Sequence, residues 1–317
     1  MKGNISRLAI PFGMLSLVAV AAGCGTMKSV YDKVSVAKPS VNIVSTKADK
    51  SGLKKKVLIL PFLNQAGLPE KKYRELTVAF MRLLEKEDRL VLIQSPDPLP
   101  STLKQGASGF GILTDSDMAK KAEEMGCNVL VTVVINAYEL RLKRTGIWPL
   151  RSTKREVEVS MVVNALDLIN GTLFLTELES EKMDFDMEEW DEEEELKVEM
   201  PEIDDKTFTR LWTGVVERQV ANLRPALRNQ IWSGRVLSAR NQHIVVSAGR
   251  SVGLASGKVF EVFARGEPVR TAGGRSIYLL GPKVGEVKAV EIMEDSAMAV
   301  PLTEAAYKAG QVIRVKN

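Results

Sequence analysis

Apolar and polar positions alternate along the chain in two textures, divided near Ser233. Ordered patterning begins at Val57-Leu-Ile-Leu60, a short apolar run closed by Pro61, which predicts a buried strand. Tyr73, Leu76, Phe80, Leu83 and Leu84 then recur three and four residues apart, the spacing of an amphipathic helix. Leu90 to Gln94 predicts a second strand, and the Pro-, Ser- and Gly-rich residues 95–109 a loop. Thr114 and Asp117 form a capping box for a helix running to Glu124, and Gly126 suits its end. Asn128 to about Leu142 reads as one long strand bent near Asn136. Val157, Val159, Met161, Val163 and Ala165 alternate with mostly polar neighbours and predict a strand with one buried face. Asn170-Gly171 is a turn signal, with a returning strand from Thr172 to Ser180. Phe208, Leu211, Trp212, Val215 and Leu223 mark a further helix, which Pro225 ends or kinks. The order βαβαβ, hairpin, helix describes a mixed sheet covered by helices in two or three layers.

Beyond Ser233 glycine recurs at 234, 249, 253, 257, 266, 273, 274, 281 and 285. Between the glycines lie Ile244-Val-Val246, Lys258 to Phe263, Val284 to Ile292 and Gln311 to Val315, with one helical turn at most over Thr303–Lys308. Short β-rich runs joined by glycine turns predict a small all-β barrel. The expected fold class is therefore α+β: an α/β domain over residues 55–232, then a barrel over 233–317.

The amino terminus carries a different signal. Lys2 and Arg7 precede an apolar stretch from Leu8 to about Val20, followed by Ala21-Ala22-Gly23-Cys24-Gly25. A positive start, an apolar core and small residues before a cut site describe a signal peptide over 1–23. The stretch contains Pro11 and Gly13 and falls short of the roughly 20 apolar residues that a spanning helix needs. A cysteine at the cut site resembles the lipobox of bacterial lipoproteins. That resemblance implies acylation of Cys24 by palmitate-type chains, a mature chain of residues 24–317, and a lipid anchor. Gly25, rather than Asp, after the cysteine favours the periplasmic face of the outer membrane. Residues 24–54, polar and rich in Ser, Thr and Lys, read as a flexible tether. A coil of that length spans roughly 30 Å, and about 100 Å when fully extended.

Charge is unevenly spread. The net formal charge is +4, yet Glu181 to Asp205 holds 14 acidic residues and two lysines. The acidic insertion, about 183–205, points to electrostatic contact within the chain or with a partner, or to a solvated loop. With Cys24 lipidated, Cys127 is the remaining thiol; the apolar run that follows it predicts a buried, inert core residue.

Motifs for catalysis or cofactors are incomplete. Gly249-Arg-Ser-Val-Gly253 matches the spacing of a nucleophile elbow around Ser251, but a β-branched run follows where a helix is required, and the one histidine, His243, precedes it. Gly257-Lys258 lacks the remaining residues of a phosphate loop, and Gly109-Phe-Gly111 lacks the third glycine of a dinucleotide fingerprint. One histidine and one thiol do not make a zinc set, and the acidic segment has no calcium-loop spacing. The expectation is a non-enzyme without cofactor, metal, nucleic-acid partner or evident small-molecule substrate. Basic residues Arg141, Lys143, Arg144, Arg151, Lys154 and Arg155 argue against membrane-spanning hairpins between Leu140 and Glu156.

Two resemblances extend this reading. Lys55 to Phe62 with Asn64, Lys121 to Leu130, and Val157 to Glu177 with Asp167 and Asn170-Gly171 resemble a group that includes the curli secretion channel lipoprotein, the amino-terminal domain of TolB, and activator lipoproteins of penicillin-binding proteins. Ile244 to Phe263, with Gly285 to Ile292 and Ser296, resembles the carboxy-terminal domain of the flagellar assembly protein T family, in which a TolB-like domain precedes this barrel. The resemblances imply an envelope lipoprotein with protein partners, self-association included, acting as an assembly or scaffolding factor for a flagellar or secretion-type surface apparatus. The alternative is an activator docking on a peptidoglycan synthase.

Overall fold

In a computed structural model of the chain, residues 41–42, 49–95, 116–147, 152–186, 204–240, 243–270 and 276–316 are described. The signal peptide, Cys24, most of the tether, Thr114 of the capping box and most of the acidic insertion lie outside these residues. All described residues belong to one compact unit, Pro39–Asn317. Among the described residues it contains a mixed sheet with three helices and a closed six-stranded antiparallel barrel.

The sheet is built from β1 (Val41–Asn42), β2 (Lys55–Ile59), β3 (Leu63–Asn64), β4 (Leu90–Gln94), β5 (Val129–Ile135), β6 (Glu139–Thr145), β7 (Ser152–Asp167) and β8 (Leu173–Asp186). The helices are α1 (Glu70–Leu84), α2 (Ser116–Glu124) and α3 (Asp205–Asn229). The main strand order is β1-β8-β7-β5-β2-β4, with β3 added beside β5 and β6 beside β7. β2 runs parallel to both β4 and β5, whereas β7 runs antiparallel to its two neighbours, β5 and β8. The chain steps outward from β2 through α1 to β4, then back across β2 through α2 to β5. Right-handed crossovers in opposite directions place their helices on opposite faces. The core clusters agree: Val57 and Ile59 pack with α1 and α3, and Leu58 and Leu60 pack with Met118 and Ala122 of α2. The α/β part therefore has three layers.

Local chemistry explains the element ends. Gly126, at φ 72°, closes α2: its N–H donates to Glu123 O at 2.9 Å, and Cys127 N–H donates to Ala122 O at 3.0 Å. Those two bonds form a Schellman motif, which an L side chain at the glycine would strain. Asp204 caps α3 by accepting from Thr207 N–H at 2.9 Å. Pro225 does not end α3, which continues to Asn229 with Ala226 and Leu227, the next two residues, buried.

Three expectations for the sheet are corrected. The long strand expected over Asn128–Leu142 is two strands, both paired to the same edge of β7: β5 with Met161–Asp167 and β6 with Ser152–Glu158. Asn136 interrupts them, donating its backbone N–H to Ser160 O and its side-chain amide to Ser160 Oγ, both at 3.0 Å. β7 has one buried face only up to Met161; beyond it Val162, Val163, Asn164, Ala165 and Leu166 are all buried, because helices cover both faces there. The returning strand does not stop at Ser180 but runs to Asp186. A hairpin of β6 and β7 thus exists where none was expected. Lys143 and Lys182 reach Glu156 at 3.6 and 3.2 Å on one face of this sheet extension. Among the described residues no helix is long and apolar enough to cross a membrane.

The barrel closes in the order β10-β13-β12-β11-β14-β9, from β9 (Gly234–Arg240), β10 (His243–Val246), β11 (Val259–Arg270), β12 (Ser276–Ile292), β13 (Ala297–Pro301) and β14 (Val312–Val315). Its interior alternates along each strand and is filled by Val236, Ile244, Phe260, Val287, Ala299 and Ile313. β9 and β13 were not legible as apolar runs, because the inward residues of β13 are alanines. Thr303–Lys308 forms no helical turn; Tyr307 donates its hydroxyl to Glu286 O at 2.9 Å instead. β11 and β12 extend past the barrel as a two-stranded arm, Ala264–Arg270 with Ser276–Lys283. Gly266 and Gly281 sit in the arm's strands rather than in turns. A Cβ at Gly281 would lie 2.8 Å from Ala264 O, so the glycine permits the close approach of the two backbones.

Candidate functional site

Polar residues are concentrated where the sheet meets the barrel. The stretch read as the end of the tether, Asp49–Lys54, is folded into this seam: Asp49, Ser51 and Leu53 are buried, and Leu53 belongs to the barrel core. Asp49 accepts from Ser51 N–H and Ser51 Oγ, both at 3.0 Å, which shapes the strap as a turn. The same carboxylate receives Lys55 Nζ at 2.9 Å. Lys55 is fully buried, and its Nζ also reaches Arg228 O, an end carbonyl of α3, at 3.3 Å. Burial pulls the Lys55 ammonium below the usual lysine range, against the raising effect of Asp49. Lys54 N–H donates to Val252 O at 2.9 Å and Lys54 O accepts from the Trp232 indole at 3.2 Å, so the strap joins both substructures.

Further staples cross the seam. Asn128 accepts from Lys56 N–H at 2.8 Å and donates to Ser233 O at 2.6 Å. Arg235 reaches Glu123 at 2.9 Å and Leu168 O at 3.0 Å. Tyr278 N–H, on the arm, donates to Asn170 O at 2.7 Å. Each fixes one substructure to the other through a buried or half-buried polar group, the arrangement that makes relative motion costly.

Asp167 lies at the end of β7 within this network. Its Oδ1 accepts from Ile169 N–H at 2.8 Å and Asn170 N–H at 3.4 Å, and its Oδ2 accepts from the Gln230 amide. Burial nevertheless pushes its carboxyl up to about 6, opposed by those hydrogen bonds and by Arg314. A carboxyl whose folded pKa exceeds its unfolded value stabilises the protein most below the unfolded value, near 3.8, and that advantage is lost as pH rises through about 6. Asp167→Asn, which keeps a carbonyl for the two backbone donors, is expected to remove this dependence. Wild-type stability relative to the variant should fall by about 3 kcal/mol between pH 3.5 and 7. Thermal unfolding of both proteins across that range is the measurement.

The residues singled out by motif have structural employment. Ser251 occupies a 3-10 turn, Arg250–Val252, and donates its hydroxyl to Asp295 Oδ1 at 2.7 Å; Asp295 also binds the Lys56 ammonium across the seam. No helix follows the serine, so the strand-turn-helix frame of a nucleophile elbow is not formed. His243 is exposed at the start of β10. Cys127 is buried and free, its thiol pushed up to about 11 by burial, which disfavours the reactive thiolate. Gly257, at φ 89°, ends a turn and donates its N–H to Ala289 O. Cys24 and Gly109-Phe-Gly111 lie outside the described residues. Among the described residues no group of three or more His, Cys, Asp or Glu could hold a metal ion. Sequence reasoning missed the strap; its signal was the Asp49-Lys-Ser-Gly52 turn chemistry, with Gly52 at φ 73°.

No protein-family model matches the chain, and no curated protein matches it. Among solved structures it is similar to the hypothetical protein CT253 from Chlamydia trachomatis, with 16% identity, 55% of this chain and 98% of that chain covered, and a TM-score of 0.33. It is also similar to a PelC dodecamer from Paraburkholderia phytofirmans, with 12% identity, 61% and 99% covered, and a TM-score of 0.30. A third similarity is to the lipoprotein GNA1162 from Neisseria meningitidis, with 14% identity, 53% and 99% covered, and a TM-score of 0.28. These structures include bacterial lipoproteins, and all are too distant to transfer a role or a partner.

Proposed function

We propose that the protein is a non-enzymatic envelope lipoprotein, tethered by acylated Cys24 to the periplasmic face of the outer membrane. Its role is that of an assembly or scaffolding factor for a flagellar or secretion-type surface apparatus. The lipobox-like segment Val20-Ala-Ala-Gly-Cys24-Gly25 carries this reading. The stapled seam supports it: Asp49, Lys55, Asn128 and Asp167 are consumed in holding two substructures together, which suits a rigid presenter of surfaces. The resemblance of residues 55–180 to the TolB amino-terminal domain, and of the barrel to the flagellar assembly protein T family, supports the choice of apparatus.

In-cell photo-cross-linking tests the role. A photoreactive residue at Val78 on α1 or Val269 on the arm, both more than half exposed, is expected to yield discrete adducts with subunits of a multiprotein surface apparatus. Adducts confined to one peptidoglycan synthase would replace the scaffold by the activator, and no adduct from either position would reject both.

A further inference from the structure

A small cleft of about 140 Å³ opens at the seam between the β7–β8 turn, the arm and β14. Two guanidiniums line it, Arg265 from the arm and Arg314 from β14. Their acceptors are nearly absent. Arg314 donates Nε to Ser233 Oγ at 3.2 Å, and no further hydrogen bond or ion pair engages its two terminal nitrogens among the described residues. Arg265 lies flat against the Tyr278 ring, 3.5 Å from its centroid, and its Nε is buried with no acceptor. A buried N–H left unsatisfied costs about 1–3 kcal/mol, a cost that falls on Arg265 Nε, and the Arg314 terminal nitrogens add donors without a protein acceptor among the described residues at the same cleft.

Asp167 does not supply it. Although this carboxylate also lines the cleft, its oxygens are occupied by Ile169, Asn170 and Gln230, and it makes no ion pair within 4.0 Å among the described residues. The two arginines outnumber this one acid. The arm's geometry aims Arg265: pairing with β12 is irregular on both sides of it, and Gly266 lets the backbone approach that of Leu279. Leu279 and Leu280 line the same cleft and are 64% and 40% exposed, an apolar rim beside the cationic floor.

We infer that this cleft binds an oxyanion, phosphate or carboxylate, carried on a short apolar group. The anion takes the open guanidinium forks of Arg265 and Arg314, and the apolar part covers Leu279 and Leu280. Guanidinium forks match the paired oxygens of both groups, and binding satisfies donors that folding leaves open. This site is independent of the lipid anchor and of the scaffold's partners.

Isothermal titration of the full chain with butyl phosphate, valerate and inorganic phosphate tests it. The expected result is one saturable site for butyl phosphate or valerate, the stronger of the two identifying the headgroup, with inorganic phosphate about tenfold weaker or more. Arg265→Gln should reduce that affinity about tenfold or more with an unchanged melting temperature, and Arg265→Lys should not restore it, because an ammonium lacks the fork. Arg314→Gln should weaken binding similarly. No saturable binding to any of the three, equal affinity for inorganic phosphate, or wild-type binding by Arg265→Gln would each overturn the inference.

Discussion

Changing Cys24 to alanine is expected to move the protein from the membrane fraction to the soluble periplasmic fraction. Membrane retention of an acylated protein rests on about 0.8 kcal/mol per buried methylene, and stable anchoring takes about two chains. Losing the thiol removes the attachment point of all such chains at once. Among the described residues no helix is long and apolar enough to span a bilayer. Sodium carbonate washing followed by fractionation reads the change: wild-type protein stays with membranes and the variant is released. A variant that still pellets after the wash would show that something other than a lipid at Cys24 holds the chain.

The second large effect concerns the strap. Asp49→Ala is expected to destabilise the fold by about 3–5 kcal/mol, because it leaves the Lys55 ammonium buried without its counter-charge. Arg89, which donates to Asp49 O at 3.0 Å, adds further positive charge to the same place. Lys55 already sits below the usual lysine range through burial, and losing Asp49 lowers it further. The folded state of the variant then binds fewer protons than the unfolded state, so its stability should rise as pH increases toward the ordinary lysine pKa. The double variant Asp49→Ala, Lys55→Met, which removes both charges, should recover much of the loss. Urea unfolding midpoints at pH 7 and 9 separate these outcomes. A single variant as stable as wild type would mean the ion pair does not hold the seam.

Much of the fold was legible because apolar periodicity and core position coincide. The run at Val57–Leu60 and the spacing from Tyr73 to Leu84 are core because their apolar residues are. The seam was hidden for the opposite reason. Lys55 and Lys56 occupy a central strand, and a lysine in a sequence predicts exposure; Asp49 and Asp295, 6 and 239 residues away, with Arg228 O beside Lys55, make their burial tolerable. The arm was hidden because Gly266 and Gly281 recur with the other glycines in a pattern that predicts turns, whereas here they admit close backbone contact. Ser251 drew notice as a nucleophile, yet its hydroxyl serves Asp295 in the clamp to Lys56. Arg265 and Arg314 lie far apart in sequence and meet through barrel closure, a relation that no local pattern encodes.

Intact-mass and peptide mass spectrometry of protein isolated from its native membrane most directly test the central claim. The account predicts a mature chain beginning at Cys24, heavier than its residues by a thioether-linked glyceryl lipid and its acyl chains. An unmodified thiol at Cys24, with residues 1–23 still attached, would contradict it.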